Sequence, residues 1–284
     1  MHGTHHHVDI AMVYNEIGSV YDDMGNLDTA LNYYEKGLEI HKDIEPNNDY
    51  GLVGFYANIA NVYSKLGRYQ EALSLTERVL ETAIERDGEL DFRVASLRHN
   101  IGVIYLHLGK PQAAYDYVEK ALESRKEIFK SNLNNEDLGN SYQILGTCHT
   151  EVNRYSEALE CYYKAQEIYR VAYSQADGEN QIPMRELYSN ISYAYACLND
   201  LQEGIKYAIK AHTIALVIFD NNSLALAETY ANLGVFHYNM DEYPQALYNL
   251  RNAITIYTKH YYPSHLNVES LVQIIKAIEA ENRV

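Results

Sequence analysis

Twelve histidines, three cysteines and a recurrent set of asparagines are the side chains of this 284-residue chain with the most chemistry to offer. Histidine can hold a metal or move a proton, a thiolate can attack, and an asparagine amide can pair with a polypeptide backbone. Spacing tells against the first two. His99 and His107 lie eight residues apart, whereas a helical ligand pair stands about three or four apart. Cys148 and His149 are adjacent, so on a helix they point about 100° away from each other. Neither HExxH, G-x-S-x-G nor a glycine-rich phosphate loop occurs, which removes the motifs that would announce hydrolysis or nucleotide binding. His5-His6-His7 is expected ahead of the first helix and without structure. His149 and His237 stand where other copies of a repeated pattern have tyrosine, and read as satisfied core residues. The sequence predicts no catalytic residue, no metal site and no cofactor.

The asparagines behave differently. Asn58, Asn100, Asn190 and Asn232 recur at one register of that pattern, although asparagine is unfavourable inside helices. Each amide carries donors and an acceptor together, so a row of them suits the main chain of an extended peptide whatever its side chains.

The elements that must position this row follow from the pattern itself: an aromatic, Ile/Leu-Gly, Tyr, then Ala. The first copy is Tyr14, Ile17-Gly18, Tyr21, Gly25 and Ala30, and the second Tyr56, Ile59-Ala60, Tyr63, Gly67 and Ala72. Its glycine register falls at Gly18, Ala60, Gly102, Gly146, Ser192 and Gly234, at intervals of 42, 42, 44, 46 and 42 residues. A fixed period of this size means a stack of like supersecondary units. Within a period, Tyr56, Ile59, Ala60 and Tyr63 share one helix face, and Gly67 ends that helix with a positive φ. Ala72, Leu73, Leu75 and Val79 then line a second helix from Glu71 to about Arg86. The longer intervals place their extra residues in loops at Ser131–Asn135 and Ser174–Asn180. Arg98 takes the aromatic position of the third copy. Gly204 replaces the packing alanine of the fifth, which predicts a unit loosened by about 1 kcal/mol.

Charge narrows the partners. With 23 basic against 39 acidic residues, the formal net charge is −16, which disfavours nucleic acid and anionic membranes. No apolar run reaches a membrane-spanning length. Cys148, Cys161 and Cys197 have no paired spacing and fit a reducing, cytoplasmic setting. Of the Asn-x-Ser sequences at Asn190 and Asn221, the first lies inside an expected helix and reads as chance.

These units resemble tetratricopeptide repeats over residues 8 to 262, and their long period resembles kinesin light chain-like arrays. Val8–Asn15 and Pro263–Val268 are similar to helix starts of those arrays. The resemblance implies an all-α, right-handed α-solenoid of six helix pairs plus a C-terminal capping helix. It is expected as one domain over 1–284, with repeats near 8–47, 50–88, 92–131, 136–176, 182–220 and 224–262 and the cap at 264–281. It further implies a concave groove lined by the first helix of each pair. Mapped onto this chain, the groove residues are Asn15, Glu16, Asn58, Asn61, Lys65, His99, Asn100, His107, Gln143, Asn190, Tyr193, Asn232, Tyr238 and Asn239. Asp22, Asp23, Glu151, Glu186 and Glu228 add acid there against Lys65 as the single cation.

The implied function is a noncatalytic scaffold or adaptor that binds an extended protein or peptide segment, neutral or basic, with aromatics to meet Tyr193 and Tyr238. Acidic tails and acidic cargo peptides would be repelled. A second reading is a bacterial signalling-peptide receptor of the Rap-like type, which expects an effector domain ahead of a first repeat that starts near residue 8. A third is a homo-oligomer formed through the stack ends, and an enzyme comes last.

Overall fold

The computed structural model describes residues 2–44, 49–174, 181–262 and 264–281. These residues form thirteen α-helices and, among them, no strand. The chain divides into two compact units, Met1–Leu133 and Asn134–Val284. The first holds α1 (His2–Asp23), α2 (Leu27–Ile44), α3 (Asp49–Lys65), α4 (Tyr69–Asp87), α5 (Phe92–His107) and α6 (Pro111–Ile128). The second holds α7 (Glu136–Glu151), α8 (Tyr155–Ala172), α9 (Ile182–Cys197), α10 (Leu201–Ile218), α11 (Leu224–Asn239), α12 (Tyr243–His260) and α13 (Leu266–Glu281). Each unit is three helix pairs in series, an all-α repeat solenoid, and α13 closes the second by packing Val268, Leu271 and Ile278 onto the core of α11 and α12.

Two expectations shift. α1 already begins at His2, so His5–His7 belong to the helix instead of preceding it as a structureless tail; nothing between His5 and Val8 would stop a helix. The long second helix of the second repeat is Tyr69–Asp87, slightly longer than its apolar pattern showed. Of the two expected loops, Ser131–Asn135 lies between α6 and α7, where Asn135 Oδ1 caps the next helix by accepting from the Asp137 amide at 2.8 Å. The other, beyond Ser174, lies outside the described residues.

One volume rule locks each pair. A Cβ on Gly18 would meet the Tyr34 ring at 2.7 Å, and one on Gly234 would meet Leu250 at 2.7 Å. Gly102 is pressed by Val118 and Gly146 by the Tyr162 ring in the same way. The first helix thus gives up its side chain so that a large residue sixteen positions later can lie against its backbone. Where the glycine is absent the partner shrinks: Ala60 stands opposite Thr76, and Ser192 opposite Ala208.

Gly204 is not a loose point. Ser192 Oγ donates to the Gly204 carbonyl at 3.0 Å, and the Phe236 ring occupies the space a Cβ would need, 2.5 Å from it. The missing methyl is filled from the next repeat. Arg98 also finds a partner, since its guanidinium ion-pairs with Glu89 in the turn before α5 and donates to the Glu89 carbonyl at 3.3 Å.

Candidate functional site

In the first unit the candidate side chains stand on the first helices α1, α3 and α5, and several are already paired with one another. Asn58 Nδ2 donates to Asn15 Oδ1 at 2.9 Å, joining α3 to α1. One turn further on, Asn61 Nδ2 donates to Asp22 Oδ2 at 3.3 Å. Lys65 Nζ pairs with the other oxygen of Asp22 at 2.7 Å. Lys65 is therefore a neutralised cation. Between α3 and α5 lies a cavity of about 190 Å³ whose polar lining is Asn61, Ser64, Asn100 and His107 with Thr76 of α4, set over Ala57 and Ile104. His107 is held flat against Tyr69, with centroids 4.5 Å apart and planes 3° from parallel. Asn100 is exposed at its edge.

His99 points the other way. Its Nδ1 is buried without a hydrogen-bond partner among the described residues. Burial, with the Arg125 charge adding to it, holds its pKa down at about 3. It is a neutral imidazole whose protonation would set a second cation near Arg125 away from water. Glu16 is exposed on α1.

In the second unit the candidates divide. Gln143 is buried, with Oε1 3.2 Å from the Tyr169 hydroxyl, which also donates to Asn140 Oδ1 at 2.5 Å. That amide is committed to the core. Asn190 and Asn232 are half-buried and Asn239 is exposed. Tyr193 is 57% exposed, and its hydroxyl is raised in pKa first by a hydrogen bond with Cys197. Tyr238 is half-buried and tilts against Tyr243.

One residue on this side escaped the sequence reading. Arg185 on α9 is buried, 3.5 Å from Glu228 and 3.4 Å from Glu186. It offsets two of the carboxylates that the sequence set on this face. Arg185 stands three residues ahead of Tyr188, just outside the groove positions; its place beside Glu186 was the signal, and Glu228 reaches it only in the fold.

Catalytic chemistry finds little support. Cys148 is buried, and burial pushes its thiol up to about 12, so no thiolate forms near neutrality. His149 is held below its ordinary pKa by burial. Glu242 lies 2.6 Å from His237 Nδ1, satisfying the second core histidine. Among the described residues no group of three or more His, Cys, Asp or Glu could hold a metal.

The architecture is that of a repeat protein built from stacked helix pairs. The family model described as tetratricopeptide repeat matches residues 54–127, 94–170 and 183–259, and a second of the same description matches 11–43. The chain belongs to the tetratricopeptide repeat family. No curated protein matches it in sequence. Among solved structures it is similar to the apo form of RapI, at 15% identity and TM-score 0.70, covering 96% of this chain and 97% of that one. BtubC (BKLC) from P. vanneervenii gives 18% identity and TM-score 0.65, covering 84% of this chain and 94% of that one. The nearly identical TPR-like repeats of a putative kinesin light chain from Podosopora anserina give 16% identity and TM-score 0.58, covering 74% and 96%. At these identities the likeness is one of fold.

Proposed function

We propose that this chain is a noncatalytic scaffold that holds an extended peptide segment of a partner protein against its first-helix faces. The observation that carries the reading is the cavity between α3 and α5, where Asn61, Asn100 and His107 converge from two repeats. The hollow is of side-chain size, and its amides and imidazole can donate to and accept from a peptide backbone. The Asn58–Asn15 bond keeps the neighbouring amides ordered before a ligand arrives, which lowers the entropy lost on binding. In the first unit Glu16 and Asp23 leave this face acidic, so a segment held there is neutral or basic, and in the second unit the exposed ring of Tyr193 favours an aromatic residue in a segment held there. The three free cysteines fit a cytoplasmic location. No helix among the described residues is long and apolar enough to cross a membrane.

A displayed library of random peptides selected on the chain tests this. Neutral or basic aromatic sequences should be enriched, and the variant carrying Asn58→Ala, Asn100→Ala, Asn190→Ala and Asn232→Ala should bind them about tenfold more weakly or worse. Unchanged affinity in that variant would remove the asparagine row from the mechanism.

A further inference from the structure

α1 carries a second, apolar face that borders the peptide-facing side along Glu16 and Asp23. Ile10, Val13, Ile17, Val20 and Met24 follow three- and four-residue steps, which place them in one stripe along the helix and its end. Ile10, Val13, Val20 and Met24 are 43%, 51%, 57% and 73% exposed. Single exposed apolar residues are ordinary, but a contiguous stripe marks an interaction surface. A hollow of about 510 Å³ opens on it, floored by Ile10, Val13 and Ile17. One flank is an aromatic wall in which Tyr33 stacks on Tyr14 at 5.9 Å and on Tyr21 at 5.4 Å, with Lys36, the one cation lining the hollow among the described residues, held over the Tyr33 ring at 5.4 Å. The other flank is acidic: Asp9, Glu16 and Asp23 stand seven residues apart and all are exposed.

The last helix of the chain is finished differently. α13 turns Val268, Leu271 and Ile278 inward and shows Glu269, Ser270, Gln273 and Lys276 to solvent. The outward face of α13 is polar where that of α1 is apolar.

We propose that the α1 stripe docks an amphipathic helix of a separate partner protein, with its apolar face in the hollow and Lys or Arg along one edge against Asp9, Glu16 and Asp23. Charge selects this occupant. In an antiparallel two-fold pair of α1 helices, each acidic row would face the other, and a chain of net charge −16 repels its own copy. A basic-edged helix is drawn in instead, and its own seven-residue repeat would bring a cation to each carboxylate.

Two synthetic helices of about five turns test it: both carry the same Leu/Ile face, one edged with Lys and the other with Glu. Titrated into the full chain and followed by fluorescence anisotropy, the Lys-edged helix should bind about tenfold more tightly or better. The preference should shrink as salt is raised. Val13→Ser with Val20→Ser should weaken binding about tenfold, and Asp9→Lys should narrow the preference. Asp9, Val13 and Val20 lie outside the peptide-facing set, so these substitutions separate the stripe from the groove, whereas Glu16 and Asp23 border both. Circular dichroism confirms that the variants stay folded. Equal binding of the two helices, binding of neither, or binding indifferent to the serine substitutions would overturn the proposal. So would a dimer in sedimentation that the serine variant dissolves, which would make the stripe a self-interface.

Discussion

The two units end their first helices with the same backbone and different residues. In the first, Gly25, Gly67 and Gly109 hold φ of 74°, 73° and 68°; in the second, Asn153, Asn199 and Asp241 hold 60°, 61° and 60°. Glycine reaches this left-handed region without strain, whereas asparagine and aspartate reach it with help from their short polar side chains. Two of the three have that help from a tyrosine two residues on: Tyr155 donates to Asn153 at 2.6 Å and Tyr243 to Asp241 at 3.2 Å. The repeat specifies a conformation at this register, and either chemistry can meet it.

The candidate face divides along the same line. The first unit joins its repeats through amides and one half-buried carboxylate, Asp22. The second does so through a buried guanidinium, Arg185, held between Glu186 and Glu228. Each is a polar strut between consecutive first helices, and each consumes groups that a list of groove positions counts as free.

Four measurements would break or sharpen this comparison. The largest effect is expected from the volume rule, which both units obey. Tyr162 is 1% exposed and lies where Gly146 lets it in, so Tyr162→Ala should lower stability by about 3–5 kcal/mol in urea unfolding. A loss below about 1 kcal/mol would mean that the pair repacks freely.

Next comes acid. Because His99 in the first unit is held neutral with a pKa of about 3, it binds its proton more readily when unfolded. Its contribution is complete above the ordinary histidine pKa of about 6.5 and is lost as pH falls from there towards 3. By pH 5 that amounts to about 2 kcal/mol, at about 1.4 kcal/mol per pH unit. His99→Gln should flatten this part of the stability–pH curve, leaving the gentler decline due to His149 and His212, both also lowered by burial.

Gly204→Ala in the second unit should destabilise by about 1–3 kcal/mol, because the new methyl meets Phe236; a neutral result would show that the ring can move aside. The smallest effect separates the two turn chemistries. Gly67→Ala should be destabilising by about 1 kcal/mol, whereas Asn199→Gly should stay within about 0.5 kcal/mol of the parent. If the two substitutions were equal, the turns would not differ in strain.

The helix pairs were legible in the sequence because their landmarks are packing residues repeated in register, and packing is what a period records. The turn at Asn153, Asn199 and Asp241 was less legible, since three residue types share one φ. Gly204 misled, because its compensation comes from Phe236, a residue of the next repeat. On the candidate face, position alone named Asn61, Asn100 and His107, and the fold brings all three to one cavity. It could not tell that Gln143 is taken up by Tyr169 or that Asp22 holds both Asn61 and Lys65. Those bonds run between elements, so no single helix carries their signature.

The glycine at one register and the large residue sixteen positions on have a consequence for how such a chain can be recombined. Grafting α8, with its Tyr162, behind α9 would drive a phenol into Ser192, while grafting α10 behind α7 would leave Ala208 facing the groove of Gly146 and a void. Helices of this chain are keyed to their immediate predecessors. The smallest piece that carries this key intact is the helix pair, and a pair that is moved must still match its next neighbour where Phe236 fills the space at Gly204.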